Sequence, residues 1–102
     1  MDRIMKLKEF LEANENDSFL LHALALEYVK AGDDEEARKL FERLLQQNED
    51  YIGTYYHLGK LLERHNEKQN ALTWYQKGIL KAKEAGDQHA YNELLAAYED
   101  LE

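Results

Sequence analysis

The chain repeats itself at an interval of 34 residues, and no other feature of its sequence restricts the fold so strongly. When the sequence is shifted by 34 positions, large apolar residues fall on large apolar residues and small residues on small ones. The matched pairs are Leu21 with Tyr55, Leu24 with Leu58, Ala25 with Gly59, Tyr28 with Leu62, Ala37 with Ala71, and Phe41 with Tyr75. A repeat of this length is typical of one supersecondary unit copied along a chain.

Within each repeat the apolar residues recur three and four positions apart, as Leu21, Leu24 and Tyr28 do. This spacing places them on one face of a helix. No stretch alternates with a period of two, and none of the 102 residues is a proline, which would interrupt a helix. The sequence therefore predicts an all-α protein, with a length that suits one domain.

The segments between the predicted helices carry capping residues. Gly32, Asn66 and Gly86 suit the left-handed conformation that follows the end of a helix. Asp17 and Asp33 suit the N-cap position, where a side-chain oxygen accepts a backbone hydrogen bond. These signals predict six helices, at residues 2–14, 18–31, 34–48, 51–65, 68–85 and 88–101.

The residues at the matched positions resemble those of the tetratricopeptide repeat (TPR) family. Its pattern places an aromatic residue, Leu-Gly and Tyr in the first helix, then Ala and an aromatic residue in the second. The second repeat matches with Tyr55, Leu58-Gly59, Ala71 and Tyr75, and the first with Leu24-Ala25, Tyr28, Ala37 and Phe41. The chain departs from the pattern in two places: Leu21 replaces the leading aromatic residue, and Glu49 lies where a proline usually ends the repeat.

The resemblance implies antiparallel helical hairpins stacked as a right-handed α-solenoid within a single TPR-like domain, residues 1–102. The expected parts are an N-terminal capping helix at 1–17, repeat 1 at 18–51, repeat 2 at 52–87, and a C-terminal half-repeat or capping helix at 88–102. In such a stack the small residues Ala25 and Gly59 let neighbouring helices approach closely. Gly59 is therefore predicted to lie at a helix contact and not in solvent.

The composition excludes several classes of function. The chain has no cysteine, which excludes disulfides, thiolate zinc sites and thiol catalysis. Its 13 Lys and Arg against 21 Asp and Glu give a net charge of −8, which argues against nucleic acid or an anionic membrane as partner. No apolar run approaches the ~20 residues of a membrane span, and no signal peptide is visible, so a cytoplasmic location is expected.

The sequence contains no catalytic motif. There is no Gly-rich phosphate loop and no nucleophile elbow, and the acidic run at 33–36 is explained by helix capping. His57 and His65 are eight residues apart, whereas zinc ligands on one helix lie three or four apart. We predict no enzymatic activity, no cofactor and no metal. His22, His57 and His89 are interpreted as solvated or peptide-contacting residues, with a pH-sensitive surface or a metal site as weaker alternatives.

In the family that the chain resembles, the first helices of the repeats line a concave groove that holds a peptide or protein segment of a partner. The resemblance implies a groove lined by Phe19, His22, Leu26, Lys30, Tyr56, His57, Lys60, Glu63, Arg64, His89, Asn92 and Glu93. Lys60 and Arg64 are four apart, share a helix face, and are expected to attract an acidic ligand group. An alternative for Leu26 and Val29 is burial under the N-terminal helix.

Some members of the family grip a C-terminal carboxylate with a clamp of Lys, Asn and Arg. The corresponding positions here hold His22, Leu26, His57, His89 and Glu93, so this clamp is not expected. The sequence predicts a scaffold that binds another protein. The alternative is a self-associating structural module, such as a homodimer formed through an exposed end helix or the groove.

Overall fold

In the computed structural model, which describes residues 2–102, every regular element is an α-helix. The helices are α1 (Arg3–Ala13), α2 (Ser18–Lys30), α3 (Asp34–Gln47), α4 (Gly53–Arg64), α5 (Lys68–Ala85) and α6 (Gln88–Leu101). The prediction of an all-α fold with six helices is confirmed for these residues, and every predicted boundary lies within two residues of the observed one. No helix in this part of the chain is long and apolar enough to cross a bilayer.

Helices α2, α4 and α5 end in the same turn. The residues that close them have positive φ angles, 80° at Gly32, 61° at Asn66 and 70° at Gly86. In each turn the next N–H donates to the carbonyl five residues earlier: Asp33 to Tyr28, Glu67 to Leu62, and Asp87 to Ala82, each at 2.9 Å. This closure requires a left-handed residue, which glycine adopts without Cβ strain and asparagine tolerates. The three predicted helix ends are confirmed.

Aspartate side chains cap four helix N-termini, and two helices lack this bond. At α1, Asp2 accepts a hydrogen bond from the Ile4 N–H at 2.9 Å. Asp17, Asp33 and Asp87 each accept a hydrogen bond from the backbone N–H three residues later, at 3.0, 3.3 and 3.1 Å. The N-cap predictions for Asp17 and Asp33 are confirmed. Ile52 and Glu67, at the N-caps of α4 and α5, make no side-chain cap hydrogen bond.

The chain divides into two compact units, and the first is Met1–Glu49. In this unit α1 packs against α2, and α2 pairs with α3 to form a hairpin. The buried side chains are Leu7, Leu21, Leu24, Ala25, Ala37, Phe41, Leu44 and Leu45. The loop between α1 and α2 is tied to α3, because Arg43 donates to the Glu15 carbonyl at 2.6 Å and Gln47 to the Asn16 carbonyl at 2.9 Å.

The second unit is Asp50–Glu102, in which α5 packs against both α4 and α6. Two glycines lie at its helix contacts. A Cβ on Gly59 would lie 2.1 Å from Cε1 of Tyr75, and one on Gly78 would lie 2.6 Å from Cβ of Tyr55. Gly59 is therefore buried at a helix contact, as predicted. The atoms nearest to that position belong to the Tyr75 ring and not to the backbone of the neighbouring helix.

Candidate functional site

Helix α4 presents five of the predicted site residues in the second unit. Its buried residues, among them Tyr55, Leu58 and Leu62, pack into the core, so the residues between them are left at the surface. We call the set Tyr56, His57, Lys60, Glu63 and Arg64 the α4 face. Arg64 is exposed, and the other four are half-buried. The sequence therefore positions these side chains through the periodicity of the apolar residues on the opposite side of the helix.

Tyr56 is the aromatic centre of the α4 face. The Lys60 ammonium lies 5.6 Å from the centroid of the Tyr56 ring, within the range of a cation–π interaction. The His57 ring meets the same ring edge-on, with 5.7 Å between centroids. These contacts restrain a half-buried aromatic ring that offers apolar surface and a hydroxyl together.

Glu63 connects this surface to the core of the second unit. Its Oε2 lies 3.6 Å from the Lys60 Nζ, and the same oxygen accepts a hydrogen bond from the phenol of Tyr75. Tyr75 is fully buried. Burial raises the pKa of the Tyr75 phenol, and the bond to Glu63 raises that pKa further, so the phenol stays a protonated donor at neutral pH.

The contact between Tyr75 and Glu63 depends on Gly59. The Tyr75 ring lies so close to the Gly59 backbone that any Cβ there would overlap it. From the sequence, Tyr75 was matched to the family pattern and Glu63 was placed in the groove, and the hydrogen bond between them was not predicted. A signal was present, since the 34-residue shift matches Tyr75 with Phe41 and Glu63 with Val29. A hydroxyl and a carboxylate thus appear together in the second repeat, where the first has two apolar residues.

Helix α6 brings a second carboxylate near the α4 face. The charge of Glu93 raises the pKa of His57, but burial lowers that pKa by more, so His57 is held toward its neutral form. His89, Asn92 and Glu93 are all exposed, and Asn92 accepts a hydrogen bond from Gln88 at 2.9 Å. The three predicted α6 residues are therefore at the surface, with Glu93 close enough to act on His57.

The four predicted residues of the first unit lie on α2. Phe19 is 65% exposed, His22 and Leu26 are half-buried, and Lys30 is exposed, with its Nζ 3.3 Å from Glu27. The His22 ring lies 6.0 Å from that of Phe41. Their part in a groove stays a prediction. Among residues 2–102, no group of three or more His, Cys, Asp or Glu side chains is arranged to hold a metal ion.

Comparison with known proteins identifies the repeat. The family model of the tetratricopeptide repeat matches residues 18–61. A crystal structure of a tetratricopeptide repeat domain protein from Salinibacter ruber is 42% identical, covers 83% of this chain and 94% of its own, and has a TM-score of 0.81. A solution NMR structure of a tetratricopeptide repeat domain protein from the same organism is 43% identical, with coverages of 84% and 87% and a TM-score of 0.81.

A third solved structure shares the fold at lower identity. It is a solution structure of a protein from Bordetella parapertussis, 21% identical, with coverages of 99% and 88% and a TM-score of 0.85. At this identity the likeness concerns the fold alone. No curated protein matches the chain.

Proposed function

Because the chain belongs to the tetratricopeptide repeat family, a protein–protein interaction fold that is typically not enzymatic, we propose that it binds a peptide segment of a partner on the α4 face. The partner segment carries an apolar residue next to an acidic one. The observation that carries this proposal is the pairing of Lys60 with the half-buried Tyr56 ring, 5.6 Å apart.

The chemistry of the α4 face supports this kind of segment. The ring of Tyr56 offers apolar contact area with little conformational freedom to lose, as aromatic anchors in interfaces do. Lys60 and Arg64 are two cations on one helix face, with Glu63 beside Lys60 and Glu93 of α6 near His57, in a chain whose net charge is −8. Lys60 and Arg64 give a ligand carboxylate two cations to pair with beside the Tyr56 ring, which favours one orientation of the bound segment.

The proposal is tested with a peptide selected from a random library for binding to the protein. Replacing Lys60 and Arg64 together by Glu is expected to weaken binding about tenfold or more and to reduce its salt dependence, because two favourable charges become unfavourable. Melting temperature should change little, since Lys60 is partly exposed and Arg64 exposed. Isothermal titration calorimetry at two salt concentrations measures both effects.

The matched control is the double change Lys68→Glu with Lys83→Glu on α5. Both lysines are exposed, and the net charge changes by the same amount in the same unit. If the control weakened binding as much as the α4 variant, the effect would reflect overall charge. If the α4 variant bound as wild type does, binding on the α4 face would be wrong.

Self-association is the second candidate function. The observation that favours it is the exposure of three large apolar side chains in the first unit, Met5 at 56%, Phe10 at 53% and Phe19 at 65%. Light scattering over a range of protein concentrations separates the two functions. An average molecular mass that rises from that of a monomer toward that of a dimer as the protein concentration increases supports self-association. A mass that stays at the monomer value leaves peptide binding as the function.

A further inference from the structure

The carboxylate of Glu63 has two partners of different kinds. On the solvent side its Oε2 pairs with Lys60 at 3.6 Å, and the two side chains are 25% and 37% exposed. On the core side the same oxygen accepts the hydrogen bond of the buried Tyr75 phenol. One carboxylate oxygen is thus shared between a surface cation and a core donor.

We infer that Glu63 is a resident counterion of Lys60 that a partner's carboxylate displaces, and that Tyr75 retains Glu63 when this happens. The inference rests on the proposed function and names its partner class, a carboxylate-bearing peptide. In the unbound protein Glu63 occupies the position beside Lys60 that the ligand carboxylate takes in the complex. Binding of an acidic segment is therefore a competition between two carboxylates for one ammonium.

For a ligand carboxylate to displace Glu63 from Lys60, the bond of Glu63 to Tyr75 must be stronger than its ion pair with Lys60. Ion pairs between partly exposed side chains stabilise weakly, because water and salt screen them. A hydrogen bond from a buried phenol to an ionised carboxylate is charge-assisted and shielded from water, so it is the stronger contact. Lys60 therefore changes partner easily, while Glu63 keeps its bond to Tyr75.

The first repeat shows that the fold itself does not require this arrangement. The shift of 34 residues matches Lys60 with Leu26, Glu63 with Val29 and Tyr75 with Phe41. The α2–α3 hairpin forms with these apolar residues in place. The polar set of the second repeat is therefore not needed to build a hairpin.

The test uses two short probes, acetylated and amidated tripeptides with Phe at the centre and either Asp or Asn on both sides. Binding is followed by NMR chemical shifts of wild type, Glu63→Gln and Tyr75→Phe. Glu63→Gln removes the competing charge and keeps an oxygen to accept from Tyr75, so it is expected to bind the Asp peptide about two- to fivefold more tightly. Tyr75→Phe frees Glu63 to pair with Lys60 and is expected to bind the Asp peptide about twofold more weakly.

The control is Glu84→Gln, which changes the net charge equally. Glu84 lies on α5, its side chain is 70% exposed, and it pairs with Lys81 at 3.7 Å. This control is expected to bind the Asp peptide within about 1.5-fold of wild type. The Asn peptide should bind all four proteins alike, since it has no charge to compete with Glu63.

The outcomes separate the inference from the proposed function. Binding of the Asp peptide by wild type, with equal or weaker binding by Glu63→Gln, would overturn the resident counterion and leave peptide binding in place. Binding by Glu63→Gln alone would support the inference most strongly. Absence of binding by every protein would overturn the proposed function, and the inference with it.

Discussion

The hairpin of α2 and α3 and the hairpin of α4 and α5 use the same positions with different side chains. In the first, Ala25 and Phe41 are both fully buried. In the second, the matched residues are Gly59 and Tyr75, and the tyrosine ring lies where a Cβ on the glycine would have to be. Relative to the first hairpin, the second therefore has one methyl group fewer at Gly59 on α4 and one hydroxyl more at Tyr75 on α5.

This difference shows how a repeat gains a polar site without losing its core. A phenol needs a partner when it is buried, because an unpaired hydroxyl there is costly. Tyr75 finds that partner in Glu63, at the position where the first repeat has Val29. One hydrogen bond therefore joins a buried side chain of the core to a half-buried side chain on the α4 face.

The largest expected effect comes from filling the space beside Gly59. Gly59→Leu should lower the free energy of unfolding by about 3 kcal/mol or more, because even its Cβ overlaps the Tyr75 ring. The matched control is Gly53→Ala, at a helical glycine with no atom within 4 Å of an added Cβ. It should be neutral or stabilise by up to about 1 kcal/mol. Urea denaturation measures both, and equal stability of Gly59→Leu and wild type would contradict the packing.

The next effect concerns the hydroxyl that distinguishes Tyr75 from Phe41. Tyr75→Phe should cost about 1–2 kcal/mol, since it removes a donor to an ionised carboxylate. The reciprocal change, Phe41→Tyr, brings a phenol into a hairpin with Val29 at the matched position and should cost about 1–3 kcal/mol. If Phe41→Tyr were neutral, the first hairpin would accept the polar pair as readily as the second.

The same hydroxyl gives an alkaline test. Burial and Glu63 raise the pKa of Tyr75 above the ordinary value of 10.0, so above pH 10 the unfolded chain releases this proton while the folded chain keeps it. The stability that Tyr75 contributes is complete below pH 10 and declines as pH rises toward the folded-state pKa. The stability difference between wild type and Tyr75→Phe should therefore be smaller at pH 11 than at pH 8. An unchanged difference would show that the phenol titrates normally.

A smaller effect is expected at the helix N-termini, where the two hairpins also differ. The backbone angles at Asp33 and Glu67 are similar, φ −105° and ψ 72° against φ −101° and ψ 62°, but only Asp33 caps its helix with its side chain. Asp33→Ala should cost about 1 kcal/mol, and Glu67→Asp should stabilise by about 0.5 kcal/mol. Thermal denaturation measures the melting temperature of both variants. A melting temperature of Glu67→Asp below that of wild type would show that glutamate at this N-cap position stabilises α5 more than aspartate does.

The smallest effect is the acid response of His57, whose matched residue in the first repeat is Ala23. Burial lowers the pKa of His57 below 6.5, so the unfolded chain takes up this proton first as the pH falls. The stability that this group contributes is present above pH 6.5 and declines as the pH falls toward the folded-state pKa. His57→Gln should therefore lose less stability than wild type between pH 7 and pH 5. Equal losses in the two proteins would contradict the burial of the imidazole.

Much of the fold was predictable because single residues determine where its helices begin and end. The positive φ angles at Gly32, Asn66 and Gly86 follow from residue types that tolerate them, and Asp33 caps α3 through its own side chain. The repeat pattern predicted the burial of Gly59. Gly78 was missed, although a glycine inside an 18-residue helix is a signal, since alanine would stabilise the helix if space allowed.

For the candidate site, the sequence by itself determined which residues lie together on α4, because helical periodicity alone brings Tyr56, Lys60 and Glu63 to one face. It did not determine how they pair. The bond from Tyr75 to Glu63 joins residues 12 positions apart on two helices, and it exists because the ring crosses Gly59 at close range. A distance of that kind depends on how two helices pack, which is a property of the tertiary structure and not of either helix. The pairing of the charged side chains at the surface of α4 therefore depends on a contact made in the core.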